Sequence, residues 1–182
     1  MITNFTQLVD KLNTVAPQTI AVVAAEDHAT MGAIVRAIRT GFAKAILIGN
    51  KTRTESLLAH LELPPETFLI VHLPDEQMAM KEALSLIHQG KADILMKGLI
   101  GTDIFLKAVL DKTSGLMKQG EVMTYVAALQ IPSYHKLLFI SDTAVIPYPN
   151  LEQKIAMLQY AVEMARRFGI SKPKVALIGA SE

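Results

Sequence analysis

The chain contains no cysteine. Disulfide bridges, zinc–thiolate centres and a cysteine nucleophile are therefore excluded among its 182 residues. Neither sign of charge is in excess: 18 Lys and Arg stand against 17 Asp and Glu, leaving +1. That balance gives no support for nucleic acid or a membrane surface as the main partner. No apolar run approaches the roughly 18–20 residues needed to span a bilayer. The opening MITNFTQLVDKL is amphipathic and carries an acid, unlike the charged n-region and apolar run of a secretory signal. Both G-x-x-x-x-G-K-[ST] and G-x-G-x-x-G are absent, so a P-loop or a conventional dinucleotide site has no direct support. The histidines at 28, 60, 72, 88 and 135 form no i, i+3 or i, i+4 pair, so no metal site is expected. Only His28 and His135 remain as candidates for a catalytic imidazole. A soluble, cytoplasmic protein is the expectation.

Half of the residues are hydrophobic and a fifth are charged, which is enough for a packed core. Short apolar runs and amphipathic stretches alternate along the first two thirds of the chain. Thr19–Ala25, Ala45–Gly49, Phe68–Leu73 and Ile94–Met96 read as strands, the first covered on both faces. Phe5–Leu12, the Met31–Phe42 stretch, Thr52–Leu61, the helix after Asp75 and the one carrying Ile104, Phe105, Ala108 and Val109 read as helices. Four such alternations predict an α/β fold, a mostly parallel sheet with helices on both faces. The rhythm breaks at Lys112–Gly120. Val122–Leu129 and Lys136–Ile140 are then strand-like and suit an antiparallel pair. Asn150 and Gln153 open a last helix, for which Leu151, Ile155, Leu158 and Val162 are the expected buried stripe. Lys174–Gly179 reads as a further strand. Met78, Met80, Met157 and Met164 are expected to fill the core or pack helix faces.

The stretch Ala92–Leu116 holds the main candidate site. Its strand ends in Lys97, Gly98 and Gly101 flank a turn, Thr102 and Asp103 open the next helix, and Ser114-Gly115 close the segment. A strand end, glycines and a helix N-terminus let backbone N–H groups converge on an anion, and Lys97 adds a full positive charge. The simpler reading is a tight connection with Lys97 in water. Glu26-Asp27 after the first strand suits helix capping. Asp142-Thr143 follows the KLLFIS strand, where either a site or a loop cap would fit.

The runs DILMKGLIGTDIFLKAVLDKTSGL, YHKLLFISDTAVIPYPNLEQKIAMLQYAVEMA and GISKPKVALIGASE, with AAEDHATMGAIVRAIRTGFAKAILIGN near the start, resemble the phosphate acetyl/butyryltransferase family. The butyryltransferase branch fits best, over essentially the whole chain. The resemblance implies a three-layer α/β/α fold like that of isocitrate and isopropylmalate dehydrogenases. It implies an enzyme moving a butyryl or branched acyl group between coenzyme A and inorganic phosphate, giving acyl phosphate and free CoA. Coenzyme A would be substrate or product, with no covalently bound cofactor and no metal, and the protein would be a homodimer or larger. Lys97, Gly98 and Thr102 would hold phosphate, and Ser114, Gly115, Asp142 and Thr143 would contact substrate. Without cysteine, direct attack in a ternary complex is expected rather than a cysteine-bound acyl-enzyme.

The resemblance further implies an N-terminal α/β domain over residues 1–148. Residues 149–182 would then be a connecting helix and the first strand of a second domain whose remainder is absent. The general acid/base would lie beyond Glu182. Thr124-Tyr125-Val126 stands where butyryltransferases typically carry Ser-His-Val, so Tyr125 is given no role. The competing readings are a phosphate acetyltransferase and a non-catalytic α/β fragment that binds an anionic ligand or a partner chain.

Overall fold

The computed structural model describes residues 1–178. In chain order the elements are α1 (Phe5–Leu12), β1 (Gln18–Val23), α2 (His28–Arg39), β2 (Ala43–Gly49), α3 (Lys51–His60), a 3₁₀ turn (Pro65–Thr67), β3 (Leu69–His72), α4 (Glu76–His88), β4 (Ile94–Lys97), α5 (Thr102–Val109), β5 (Ala127–Leu129), β6 (Leu138–Ile140) and α6 (Leu151–Arg167). The chain divides into two compact units, one of residues 11–119 and one joining residues 1–10 to the chain from Gly120 onward. The expected domain limit at residue 148 falls within the second unit, three residues before α6.

The larger unit is a four-stranded parallel sheet in the order β3-β2-β1-β4. As the first apolar run of the sequence suggested, β1 is central, and Ala21, Val22 and Val23 are completely buried. Side chains alternate across the pleat. Val22 and Leu47 join Met31, Ile34 and Val35 of α2 and Leu58 of α3 in one apolar cluster. The alternate positions Ala21, Val23, Ile46 and Ile48 face the other way, where α4 supplies Ala79, Met80, Ala83 and Leu84. Each large aliphatic side chain so buried contributes about 1.5–3 kcal/mol. Helix starts are set locally: Asp27, Asn50 and Asp75 accept the backbone N–H groups of Thr30, Arg53 and Met78 at 2.8, 3.1 and 2.9 Å.

In the second unit β5 and β6 pair antiparallel, with Ala127 opposite Ile140 and Leu129 opposite Leu138. Both strands are shorter than expected. Asn150 and Gln153 form the expected capping box at the start of α6. The Ile2 N–H donates to the Phe168 carbonyl at 2.8 Å, and Phe139 meets the Phe168 ring edge-on with centroids 5.1 Å apart.

Three expectations need correction. The stripe of Leu151, Ile155, Leu158 and Val162 is not the buried face of α6. The first three are 73, 47 and 36% exposed, while Met157 and Ala165 are buried. Periodicity marks an apolar face, but which face is covered depends on the neighbours, and here the packed neighbour is the short strand β6. Residues 174–178 form no strand, because no strand among the described residues lies beside them to share hydrogen bonds, and Val175, Leu177 and Ile178 are exposed. Gly179 lies outside the described residues. Met78 is also exposed, whereas Met80, two residues on, is buried. Among the described residues no helix is long and apolar enough to cross a membrane.

Candidate functional site

The turn from β4 to α5 is fixed by its approach to β1. The Gly98 and Leu99 N–H groups donate to the carbonyls of Val23 and Ala24, each at 2.8 Å. A β-carbon on Gly98 would lie 2.7 Å from the Ala24 carbonyl carbon and 2.8 Å from the Val23 oxygen, and closer still to the Ala24 oxygen. Gly98 is therefore required for backbone-to-backbone contact, and its own N–H is not free for a ligand. Ile100 anchors the turn in the core, while Leu99 is exposed.

Beyond Ile100 the backbone is open. α2, α3, α4 and α6 are all capped by a side chain, but α5 starts from Gly101 with no side-chain cap. The N–H groups of Gly101, Thr102 and Asp103 have no hydrogen-bond partner among the described residues. The Asp103 carboxylate lies at the same end, beside Gly101. Half-buried Lys97 donates from Nζ to the Gly98 carbonyl at 3.3 Å and forms no ion pair among the described residues. The turn thus offers a cation without a carboxylate partner and a helix N-terminus without a cap, four residues apart in the chain.

The other expected residues are drawn into their own loops. Asp111 Oδ1 accepts from the Ser114 N–H and hydroxyl at 2.8 and 2.9 Å and from the Thr113 N–H at 3.0 Å. The Ser114 hydrogen bonds, then the Thr113 one, hold the Asp111 carboxyl below its ordinary pKa. Gly115 closes this turn through its N–H to the Asp111 carbonyl at 2.9 Å, and a β-carbon there would strike the Asp111 and Val109 carbonyl oxygens. A ring nitrogen of His88 lies 3.1 Å from the Ser114 carbonyl oxygen.

Asp142 belongs to the second unit and follows β6. Its Oδ1 accepts from the Ala144 and Val145 N–H groups at 2.8 and 2.9 Å. Its Oδ2 accepts from the Thr124 hydroxyl at 2.8 Å and the Tyr125 N–H at 3.1 Å. Burial pushes this carboxyl's pKa up, but the four hydrogen bonds outweigh burial and the net shift is downward. Asp142 is thus an ionised loop organiser that fixes the Thr124-Tyr125 segment. Thr143 beside it is exposed.

Sequence reasoning read Glu26 with Asp27 as a helix cap, and for Glu26 that needs correction. Asp27 does cap α2, but Glu26 crosses to the next strand connection, where Oε1 accepts from the Asn50 N–H at 2.6 Å and Oε2 lies 3.4 Å from Arg53 Nη1. Glu26 and Arg53 line a cavity of about 240 Å³ at the C-terminal ends of the strands, together with Ala24, Gly49, Leu73 and Leu99. Lys97, Gly98 and Thr102 do not line it. Gly49 is the one available signal, since a β-carbon there would come within 2.7 Å of Glu26 Oε1. Among the described residues no three His, Asp or Glu side chains gather where they could hold a metal ion.

Residues 76–182, more than half of the chain, match the family described as phosphate acetyl/butaryl transferase. The chain belongs to this family. The match begins at α4 and takes in the whole β4–α5 turn, Ser114-Gly115 and Asp142-Thr143. Phosphate butyryltransferases of Clostridium beijerinckii and Clostridium acetobutylicum are each 36% identical to the chain, over 96 and 100% of its length. The crystal structure of a branched-chain phosphotransacylase from Enterococcus faecalis V583 superposes over 91% of the chain with a TM-score of 0.73 and 27% identity. The chain spans 58 and 60% of the two clostridial family members and 57% of the solved one.

Proposed function

We propose that this chain takes part in transfer of a short-chain acyl group, butyryl or branched, between coenzyme A and inorganic phosphate. The observation that carries the reading is the β4–α5 turn, where unpaired Lys97 precedes an uncapped helix start. Phosphate and the tetrahedral intermediate of acyl transfer are both anionic, so catalysis needs a cation and preorganised N–H donors. Lys97 and the N–H groups of Gly101, Thr102 and Asp103 supply them. Gly98 serves by holding the turn against β1 rather than by donating. The Ser114-Gly115 and Asp142-Thr143 loops contact substrate, with the Asp142 carboxylate fixed in place rather than moving protons.

A phosphate oxygen attacks the thioester carbonyl, the carbon–sulfur bond breaks, and the thiolate takes a proton to leave as free CoA. This attack is direct in the ternary complex, with no acyl group passing through a residue of this stretch of chain. Coenzyme A is a substrate and no covalent cofactor takes part. The reading includes a cytoplasmic protein that works as a homodimer or larger assembly. It also includes an N-terminal α/β domain over residues 1–148, with α6 and the segment after it leading into a second α/β domain. The sequence identity to butyryltransferases favours butyryl over acetyl.

The test is thiol release from butyryl-CoA and acetyl-CoA, with and without phosphate, beside calorimetry of phosphate binding. Phosphate-dependent release, faster from butyryl-CoA, is expected. Lys97→Ala should raise the phosphate requirement about tenfold or more, the worth of one charge-assisted hydrogen bond, and that for acyl-CoA much less. Neither release nor phosphate binding, or a phosphate dependence unchanged by Lys97→Ala, would refute the assignment.

A further inference from the structure

The cavity beside Glu26 holds charges that the β4–α5 turn does not use. Its wall draws on the segments that follow all four parallel strands: Glu26 after β1, Arg53 after β2, Leu73 and Glu76 after β3, and Leu99 after β4. Ligands of open parallel sheets bind at this end of the strands. At about 240 Å³ the cavity is smaller than the roughly 300–1,000 Å³ of pockets for drug-sized molecules. It suits a ligand of few heavy atoms, and neither a nucleotide nor coenzyme A fits inside it. Two features of the wall are costly to maintain. The Glu26 side chain is only 10% exposed, which removes a carboxylate from water. Ala24 is held at φ 55°, a strained conformation for a residue with a β-carbon and one that gathers at ligand sites.

The polar groups define what the ligand must carry. Arg53 gives Nη1 to Glu26 Oε2 at 3.4 Å, and its side chain is 73% exposed, so most of its fork of donors is open. Such a fork matches the two oxygens of a carboxylate. Glu76 stands in the first turn of α4 and makes no ion pair among the described residues, which leaves it an acceptor for an ammonium group. Two carboxylates against one guanidinium make the wall acidic, so phosphate or another simple anion is disfavoured. Leu73, Ala79 and Leu99 add an apolar strip, of which Leu99 is 59% exposed and open to cover by a ligand. One small molecule with a carboxylate, an ammonium and a short aliphatic chain satisfies all three.

We propose that this cavity binds a free aliphatic α-amino acid of valine or leucine size. Its carboxylate sits on Arg53, its ammonium on Glu76 and its side chain against Leu73, Ala79 and Leu99. Leu99 also belongs to the β4–α5 turn, where its N–H donates to the Ala24 carbonyl, so the ligand packs against the segment that carries Lys97. The proposal does not rest on the acyl-transfer reading, whose substrates are different molecules.

The experiment is titration calorimetry of the full chain with L-valine and L-leucine, beside isoamylamine and isocaproate. These two keep the leucine side chain and lack the carboxylate or the ammonium. Binding of an amino acid is expected, with each analogue at least about tenfold weaker, the worth of one charge-assisted hydrogen bond. Glu76→Gln should weaken leucine about tenfold and leave isocaproate no weaker. Arg53→Lys keeps a cation beside Glu26 but loses the fork, so it should weaken leucine by a similar factor and leave isoamylamine unchanged. A disturbed fold would instead weaken every ligand together, and circular dichroism on each variant checks this directly. No binding of either amino acid, analogues as tight as leucine, or leucine binding indifferent to Glu76→Gln would overturn the proposal. Displacement of leucine by coenzyme A would overturn it too, by assigning the cavity to the acyl-transfer substrates.

Discussion

Replacing Gly98 by alanine should cost more than any other single added methyl group in the β4–α5 turn. The new carbon would meet the carbonyls of Val23 and Ala24, which are backbone atoms of the central strand and its continuation and have no rotamer to escape into. Relief would require β4 and β1 to part, at about 1–3 kcal/mol for the overpacking. The Gly98 and Leu99 hydrogen bonds to β1 would go with it, at about 1 kcal/mol each. The sum is about 3–5 kcal/mol, a large part of the roughly 5–15 kcal/mol that holds a typical domain folded. Gly32→Ala is the control. Gly32 lies within α2 with nothing within 4 Å of an added β-carbon, so alanine should stabilise by about 0.5–1 kcal/mol. Urea denaturation followed by circular dichroism reads both. With a slope of about 1.5 kcal/mol per molar urea, the Gly98→Ala midpoint should fall by roughly 2–3 M while that of Gly32→Ala rises slightly. A Gly98→Ala loss below about 1 kcal/mol would refute the claim that the turn is seated on the β1 backbone.

Further tests address charge. Asp142→Asn should destabilise by about 1.5–3 kcal/mol, because an amide cannot accept from all four of the donors that now surround the carboxylate. The Asp142 pKa is lowered in the fold, so its stabilisation is complete above the ordinary carboxylate value near 4 and is lost as pH falls through the folded-state value. Wild type should therefore lose its advantage over Asp142→Asn in acid-titrated melts below about pH 4, and an advantage independent of pH would count against the ionised role. Asp103→Asn removes the carboxylate that shares the open end of α5 with an incoming anion. Phosphate binding by calorimetry should tighten about threefold, and weaker binding would mean that Asp103 orients the ligand rather than competing with it.

The parallel sheet was legible because its signals are local: unbroken apolar runs such as Thr19–Ala25, and cap residues such as Asp75 and Asn150 one position ahead of each helix. The face of α6 was not legible, because Leu151, Ile155 and Leu158 are apolar whichever side the fold covers. The same holds for residues 174–178, whose composition suits a strand but cannot supply the neighbouring strand. Within the site, Lys97 and the helix start at Thr102 could be picked out from residue types in order along the chain. The engagement of the Gly98 N–H by Val23, 75 positions earlier, could not, nor could the reach of Glu26 to Asn50. Both are contacts between parts of the chain that are far apart in sequence.

The strand order β3-β2-β1-β4 has a consequence for where a crevice can open on this sheet. After β1 the chain winds outward through β2 and β3, then returns past β1 to lay β4 on its other side. Between β1 and β4 the winding reverses, and successive connections leave toward opposite faces of the sheet. The Ala24 and Lys97 loops flank this topological switch point, its floor closed by the Gly98 and Leu99 hydrogen bonds. The crevice is thus a product of the order of winding, and substitutions at Thr102 or Asp103, which lie past the end of β4, leave the strands that create it undisturbed.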